Sequence, residues 1–178
     1  MSICMAAVRQ ALLVSVPLVL PLSAAAQDAR GEVGVTYGVT TDISVRETGM
    51  KGFVAAVTGN IGERFGIVGE ISGNYWSNDL PGDFDPYLRI HSFLAGLKIR
   101  PRAGRIEPYG QVLAGITHIR GRIFREPGSN MLFTIQPGGG VDIILSSRAG
   151  IRVQTDSQFQ SWGGYPTLRF ALGTVVRF

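Results

Sequence analysis

The sequence predicts an all-β protein that folds as a closed eight-stranded antiparallel up-and-down transmembrane β-barrel. Eight runs alternate between apolar and polar residues, which is the period of a strand with two unlike faces. The chain has 178 residues, of which 24 are glycines, 45% are hydrophobic and only 17% are charged. After the apolar N-terminal segment, no stretch has the periodicity of an amphipathic helix. The connections between the runs alternate between short and long, which is typical of barrels that cross a membrane.

The N-terminal segment has the three parts of a secretory signal peptide. Arg9 precedes an apolar stretch, and the small residues at 23–26 form a cleavage site of the A-x-A type. The stretch contains Pro17 and Pro21 and is shorter than the roughly 20 residues of a spanning helix. We therefore expect residues 1–26 to be removed on export and residues 27–178 to form one barrel domain.

The first four strands are predicted at 33–45, 53–61, 65–75 and 92–100. In strand two, for example, Phe53 and Val57 hold the apolar parity while Thr58 and Asn60 hold the polar one. Glycine opens a tight turn at 62–64. Two prolines and a glycine break any ladder over 77–86, which predicts a long loop.

The last four strands are predicted at 108–119, 133–145, 151–159 and 167–178. Short turns are expected at 101–104 and 146–148, and longer loops at 121–132 and 161–166. With an even number of strands, both chain ends fall on the short-turn rim. That rim faces the periplasm in bacterial outer-membrane barrels.

The last strand poses the question of which face meets lipid. Leu168, Phe170 and Leu172 alternate with Arg169 and Arg177 across it. A soluble sandwich would bury the apolar set and expose the arginines, whereas a membrane barrel inverts this polarity. In the inverted case, we expect an aromatic girdle of Tyr75, Trp76, Phe159, Trp162 and Tyr165 at the long-loop rim, and of Tyr109 and Phe178 at the short-turn rim.

The polar parity then predicts a charged lumen. Its expected members are Glu70, Lys98, Arg100, Asp142, Arg152, Gln154, Asp156, Arg169 and Arg177. Eight strands leave an interior just wide enough for side chains to fill, and unpaired charges would be costly there. We therefore expect a network of ion pairs that plugs the lumen and leaves no open diffusion pore.

The chain resembles the OmpA-like family of small outer-membrane β-barrels. The resemblance spans the mature sequence and rests on the segments PYGQ at 108–111, QPGGGVD at 136–142 and LSSRAGIR at 145–152, and on the last strand that ends in Phe178. It implies a porin-like barrel in the cell outer membrane of a Gram-negative envelope. It also implies that Phe178 is the assembly signal recognised by the β-barrel assembly machinery.

The expected role is structural, or an interaction made by the loops, rather than catalytic. One alternative is an outer-membrane lipid-modifying hydrolase similar to lipid A deacylases, because His118 lies near the external rim. His91 and Ser92 do not form a catalytic pair, since neighbours on a strand point to opposite faces. The other alternative is a secreted lipocalin-like barrel, which would place its apolar parity inside.

The expected partners are lipids. The net charge of +4 would meet membrane phosphates after export rather than nucleic acid, and Arg120, Arg122 and Arg125 could contact lipopolysaccharide near the external rim. The loop acids Asp79, Asp83 and Asp85 lack the ligand spacing of a calcium loop. We expect no metal or other cofactor, and a monomer.

Overall fold

A computed structural model of the chain describes residues 30–42, 49–62, 64–77, 87–101, 104–122, 128–161 and 166–178. The described residues form eight strands, which are β1 (Gly31–Asp42), β2 (Met50–Ile61), β3 (Phe65–Ser77), β4 (Tyr87–Ile99), β5 (Ile106–Arg122), β6 (Gly128–Ile144), β7 (Ala149–Gln160) and β8 (Thr167–Arg177). No helix in this part of the chain is long and apolar enough to span a membrane.

Each strand pairs in antiparallel fashion with the next, and the first strand pairs with the last. In the closing pair, Val33 lies opposite Val176 and Asp42 opposite Thr167. The sheet is therefore a closed barrel in chain order, as predicted. Closure satisfies the backbone donors and acceptors along the strands without water, which is the requirement that hydrocarbon imposes on a spanning structure.

The two faces of the wall have the inverted polarity of a membrane barrel. On β8, Phe170 and Leu172 expose 58% and 59% of their surface, whereas Arg169 between them exposes 2%. The same alternation runs through the other strands, where large apolar residues are exposed and ionic ones are buried. This arrangement excludes the soluble sandwich and the lipocalin-like barrel, both of which bury their apolar parity.

The strands are longer than predicted on the external side. β5 and β6 have 17 residues each, and the predicted loop at 121–132 is wrong for 128–132, because Ser129 and Met131 pair with Arg120 and His118 in the ladder. Polar strand ends that stand above the hydrocarbon still pair with their neighbours. The connections take three, six and four residues at the short-turn rim and seven, nine, five and six at the other, hereafter the external rim.

Several predicted features lie outside the described residues. These are the signal peptide at 1–26, the extension of strand one to Val45, the loop acids, Arg125, Trp162 and Tyr165. Arg122 is the last residue of β5, but its side chain is not among those described.

Candidate functional site

The lumen holds two clusters of ionic and amide side chains, one above the other. The short-turn cluster lies nearest the short turns and comprises Glu32, Lys98, Arg100, Glu107, Asp142, Arg152 and Arg177. The central cluster comprises Glu70, Gln136, Gln154, Asp156, Gln158 and Arg169. The strands bring together all nine lumen residues that the sequence predicted.

Glu32 is the hub of the short-turn cluster. Its carboxylate accepts hydrogen bonds from Lys98 Nζ, from Arg100 Nη1 and, at 2.7 Å, from Arg152 Nη2. Lys98 lies on β4, Arg100 directly follows that strand and Arg152 lies on β7, so these contacts cross the barrel interior from β1. Glu32 is fully buried. Because the three cations share its carboxylate, Glu32 connects β1 with the ends of β4 and β7, and no two of these strands are paired with each other.

Two further pairs complete the short-turn cluster. Arg152 donates to Asp142 through Nε at 2.7 Å and Nη2 at 2.8 Å, a bidentate pair between the neighbouring strands β7 and β6. Arg177 donates through Nη2 to Glu107 at 2.6 Å. The sequence analysis misses Glu32 and Glu107 because the predicted strands one and five begin at 33 and 108, each two residues after the observed start.

Arg169 organises the central cluster. Its Nη2 lies 2.7 Å from both Glu70 Oε1 and Asp156 Oδ2, so one guanidinium bridges β3 and β7 across the lumen. Gln136 donates to Glu70 at 3.0 Å and accepts from Gln158 at 2.7 Å. Amides thus extend the network where charges are fewer.

Tyr109 joins the clusters, and its predicted place in the aromatic girdle is wrong. The ring is buried in the lumen, its hydroxyl donates to Gln154 at 3.1 Å, and Lys98 Nζ stands 3.9 Å from its centroid. Gly140 on β6 provides the space, because a Cβ there would come within 2.8 Å of the Tyr109 hydroxyl. The prediction placed Tyr109 at the lipid interface because aromatic residues collect there, whereas the alternation along β5 directs its side chain into the lumen.

Trp76 was also misassigned. It follows the lumen parity of Asn74 on β3, and since neighbours on a strand face opposite ways, it cannot share the outer surface with Tyr75. Tyr75, Phe159 and Phe178 face outward and are exposed, which is the orientation a girdle requires.

The described part of the lumen carries no excess charge. Five carboxylates face five cations among its described side chains, namely Glu32, Glu70, Glu107, Asp142 and Asp156 against Lys98, Arg100, Arg152, Arg169 and Arg177. On the side of β2 to β5, an apolar group of Ala56, Val68, Leu94 and Leu113 also faces the lumen. These apolar residues hold the polar parity and were not expected inside.

The outer wall carries a polar row near the external rim. His91 and His118 lie directly opposite each other on β4 and β5. His91 Nε2 is 3.1 Å from the Tyr75 hydroxyl, and His118 Nε2 is 2.8 Å from Ser129 Oγ. Ser92 points into the barrel instead, where it bonds with Thr117 at 3.0 Å.

Three exposed cations lie two ladder positions nearer the external rim. They belong to one outward-facing row across β2 to β5, which contains Lys51, Tyr75, Arg89 and Arg120 in that order. The sequence analysis did not single out Arg89. Like charges directly opposite on a sheet destabilise it unless an anion lies between them. No group of three or more potential metal-binding His, Cys, Asp or Glu side chains occurs among the described residues.

No family model and no curated protein matches the chain. Solved structures with the same fold include Ail, the attachment invasion locus protein of Yersinia pestis, at 16% identity and a TM-score of 0.62 over 83% of this chain and 96% of that one. OprG from Pseudomonas aeruginosa matches at 12% identity and a TM-score of 0.61 over 84% and 96%. The outer membrane enzyme PagL matches at 12% identity and 0.52 over 83% and 99%. The fold is thus that of eight-stranded outer-membrane barrels.

Proposed function

We propose that the chain is a non-enzymatic outer-membrane barrel with a plugged lumen, and that its role is structural or lies in contacts made by its external loops and outer wall. The observation that carries this proposal is the Glu32 hub. Lys98, Arg100 and Arg152 converge on one fully buried carboxylate and occupy the axis along which ions would pass. Eight strands enclose an interior that side chains can fill, and this network supports a plugged lumen rather than the water-filled channel of larger barrels.

Conductance tests this proposal. We expect the protein, inserted into planar bilayers, to show no steady pore at a holding potential at which a general porin conducts. The double variant Glu32→Ala with Lys98→Ala shortens two of the side chains that block the axis and should raise conductance. The matched variant Val35→Ala with Leu97→Ala shortens two outward-facing residues on the same strands and should not. A steady open pore in the unaltered protein would refute the plugged lumen.

Lipopolysaccharide is the proposed partner of the outer wall. Arg120, with Arg89 opposite it, offers two guanidinium groups for charge-assisted bonds to phosphate at the external rim. The Arg89→Gln and Arg120→Gln variant should retain less lipopolysaccharide on purification than the unaltered protein. Equal retention would remove this contact from the proposal. For insertion, Phe178 is the proposed recognition residue of the assembly machinery, and Phe178→Ser should accumulate unfolded protein in the periplasm.

One observation favours a second function, an esterase that acts on lipid acyl groups. His118 Nε2 lies 2.8 Å from Ser129 Oγ on the outer wall, the geometry in which a histidine removes a proton from an attacking serine. None of the described outward-facing side chains near the pair is a carboxylate that could orient the histidine. Mass spectrometry of lipid A from cells that express the protein separates the two functions. The enzyme would be established if lipid A loses acyl chains in cells with the unaltered protein or Ser157→Ala but keeps them in cells with Ser129→Ala.

A further inference from the structure

The last lumen-facing rung at the short-turn rim is built almost entirely of arginine. It comprises the last lumen-facing partners of four strand pairs, and each pair is staggered along the strands by two to four residues from the next. Its eight positions are Arg30, Asn60, Arg64, Arg100, Arg105, Ile144, Arg148 and Arg177, so six of the eight are arginines. On the lumen-facing parity, the described residues concentrate one charge in this way at no other level of the barrel.

Four of these arginines occupy equivalent positions. Each immediately precedes an odd-numbered strand, and its carbonyl oxygen accepts a hydrogen bond from the amide of its partner across the ladder, at 2.8 to 2.9 Å. These four residues are Arg30, Arg64, Arg105 and Arg148. Two residues further along each strand stands a buried, lumen-facing residue, which is Glu32, Gly66, Glu107 or Gly150. The arginines therefore carry the parity of the lumen and surround its mouth.

The mouth has an excess of positive charge. Arg100 and Arg177 are paired with Glu32 and Glu107, whereas Arg30, Arg64 and Arg105 are exposed and form no ion pair with a described residue. The Nε donor of Arg177 is buried and lacks a hydrogen-bond partner among the described atoms. Phe178 pairs with Gly31 beside the mouth, while Glu63 and Arg102 lie outside the described part.

We infer that this arginine mouth binds a compact multivalent phosphate anion that enters along the barrel axis from the periplasm. Guanidinium groups present planar forks that match phosphate oxygens, and several of them around one opening can engage several phosphates of one ligand. Lumen parity directs the groups toward the axis. The headgroups of the surrounding leaflet lie instead against the outward-facing parity, so a soluble ligand fits the geometry better than a lipid. This site is separate from the outer wall and does not depend on the function proposed above.

Calorimetric titration with tripolyphosphate tests the inference on protein purified from membranes in a zwitterionic detergent. The mouth variant carries Arg30→Gln, Arg64→Gln and Arg105→Gln. The control variant carries Lys51→Gln, which removes one positive charge from an exposed residue at the opposite rim, and Arg64→Gln is its charge-matched counterpart at the mouth. We expect saturable binding that weakens as salt is raised, a loss of roughly tenfold or more in affinity in the mouth variant, and little change in the control.

Three results would overturn the inference. The first is no saturable binding at low salt, and the second is an equal loss in Lys51→Gln and Arg64→Gln, which would indicate a general charge effect. The third concerns nanodiscs, where a loss of tripolyphosphate affinity when phosphatidylglycerol replaces phosphatidylcholine would assign the arginines to lipid headgroups. If the triple variant does not fold, as judged by heat-modifiable migration on a gel, the three single variants replace it. Each should then weaken binding, and unchanged affinity in all three would equally overturn the inference.

Discussion

Replacing Glu32 with Gln is the most direct perturbation of the lumen network. The side chain keeps its size but loses the charge that Lys98, Arg100 and Arg152 share. Arg152 keeps Asp142 at 2.7 Å, and Arg100 keeps Glu107 at 3.7 Å and the amide oxygen of Asn60 at 3.2 Å. The substitution therefore leaves the positive charge of Lys98 without a carboxylate partner among the described residues. Removing one partner of a buried ion pair costs about 3–5 kcal/mol, and we expect a loss of that size in the free energy of unfolding.

Urea unfolding in lipid vesicles, followed by tryptophan fluorescence and by heat-modifiable gel migration, measures this loss. A second variant separates charge from packing. Combining Glu32→Gln with Lys98→Met removes both charges and should recover a substantial part of the lost stability. Glu107→Gln serves as the control at the more accessible mouth, where its partner Arg177 exposes 12% of its side chain, and it should cost less. If Glu32→Gln unfolds at the same urea concentration as the unaltered protein, Glu32 is not a hub.

The remaining predictions concern packing inside the barrel and use the same unfolding measurement. Leu113→Ala should lower the free energy of unfolding by about 2–5 kcal/mol because the Leu113 side chain is fully buried in the lumen. Leu97 exposes 65% of its surface to lipid, so Leu97→Ala should cost distinctly less, and equal losses would contradict the assignment of faces. Gly140→Ala should destabilise by about 1–3 kcal/mol because its Cβ would lie 2.2 Å from the Val153 carbonyl oxygen and 2.8 Å from the Tyr109 hydroxyl. Gly59→Ala, with nothing within 4 Å, should be near neutral, and the reverse order would refute these close approaches. Tyr109→Phe should cost about 1 kcal/mol by removing the bond to Gln154, and an unchanged midpoint would show that this bond contributes nothing to stability.

The fold was predictable from the sequence because strands that alternate between apolar and polar residues allow only two arrangements. Their apolar side chains face either the interior of the barrel or its outside. Once β8 showed Phe170 and Leu172 alternating with Arg169, a single choice between inward and outward polarity fixed the face of every residue on the strand. The predicted lumen charges, from Glu70 on β3 to Arg177 on β8, lie inside because parity alone decides it. The partners across the lumen, such as Glu32 with Lys98, could not be predicted, since they depend on the stagger between strands that are distant in sequence.

The errors arose where residue type was given more weight than position. Tyr109 and Trp76 were expected at the lipid interface because aromatic residues collect there, yet both hold the inward parity of their strands. Leu113 and Val68 show the opposite case, in which apolar residues on the inward parity fill the barrel. The pairing of His118 with Ser129 was hidden because Ser129 was read as part of a loop, whereas polar residues can continue a ladder beyond the membrane.

Inverted polarity is best tested by measuring which side of β8 meets lipid. Nitroxide labels at Leu172 and at Ala171, introduced by single cysteines, can be compared in vesicles by their collision rates with oxygen, which concentrates in hydrocarbon, and with a nickel chelate, which stays in water. We expect the label at Leu172 to collide freely with oxygen and the label at Ala171 to be shielded from both reagents. Free oxygen collisions at Ala171, together with a shielded Leu172, would show that the apolar residues form an inner core and that this chain does not span a membrane.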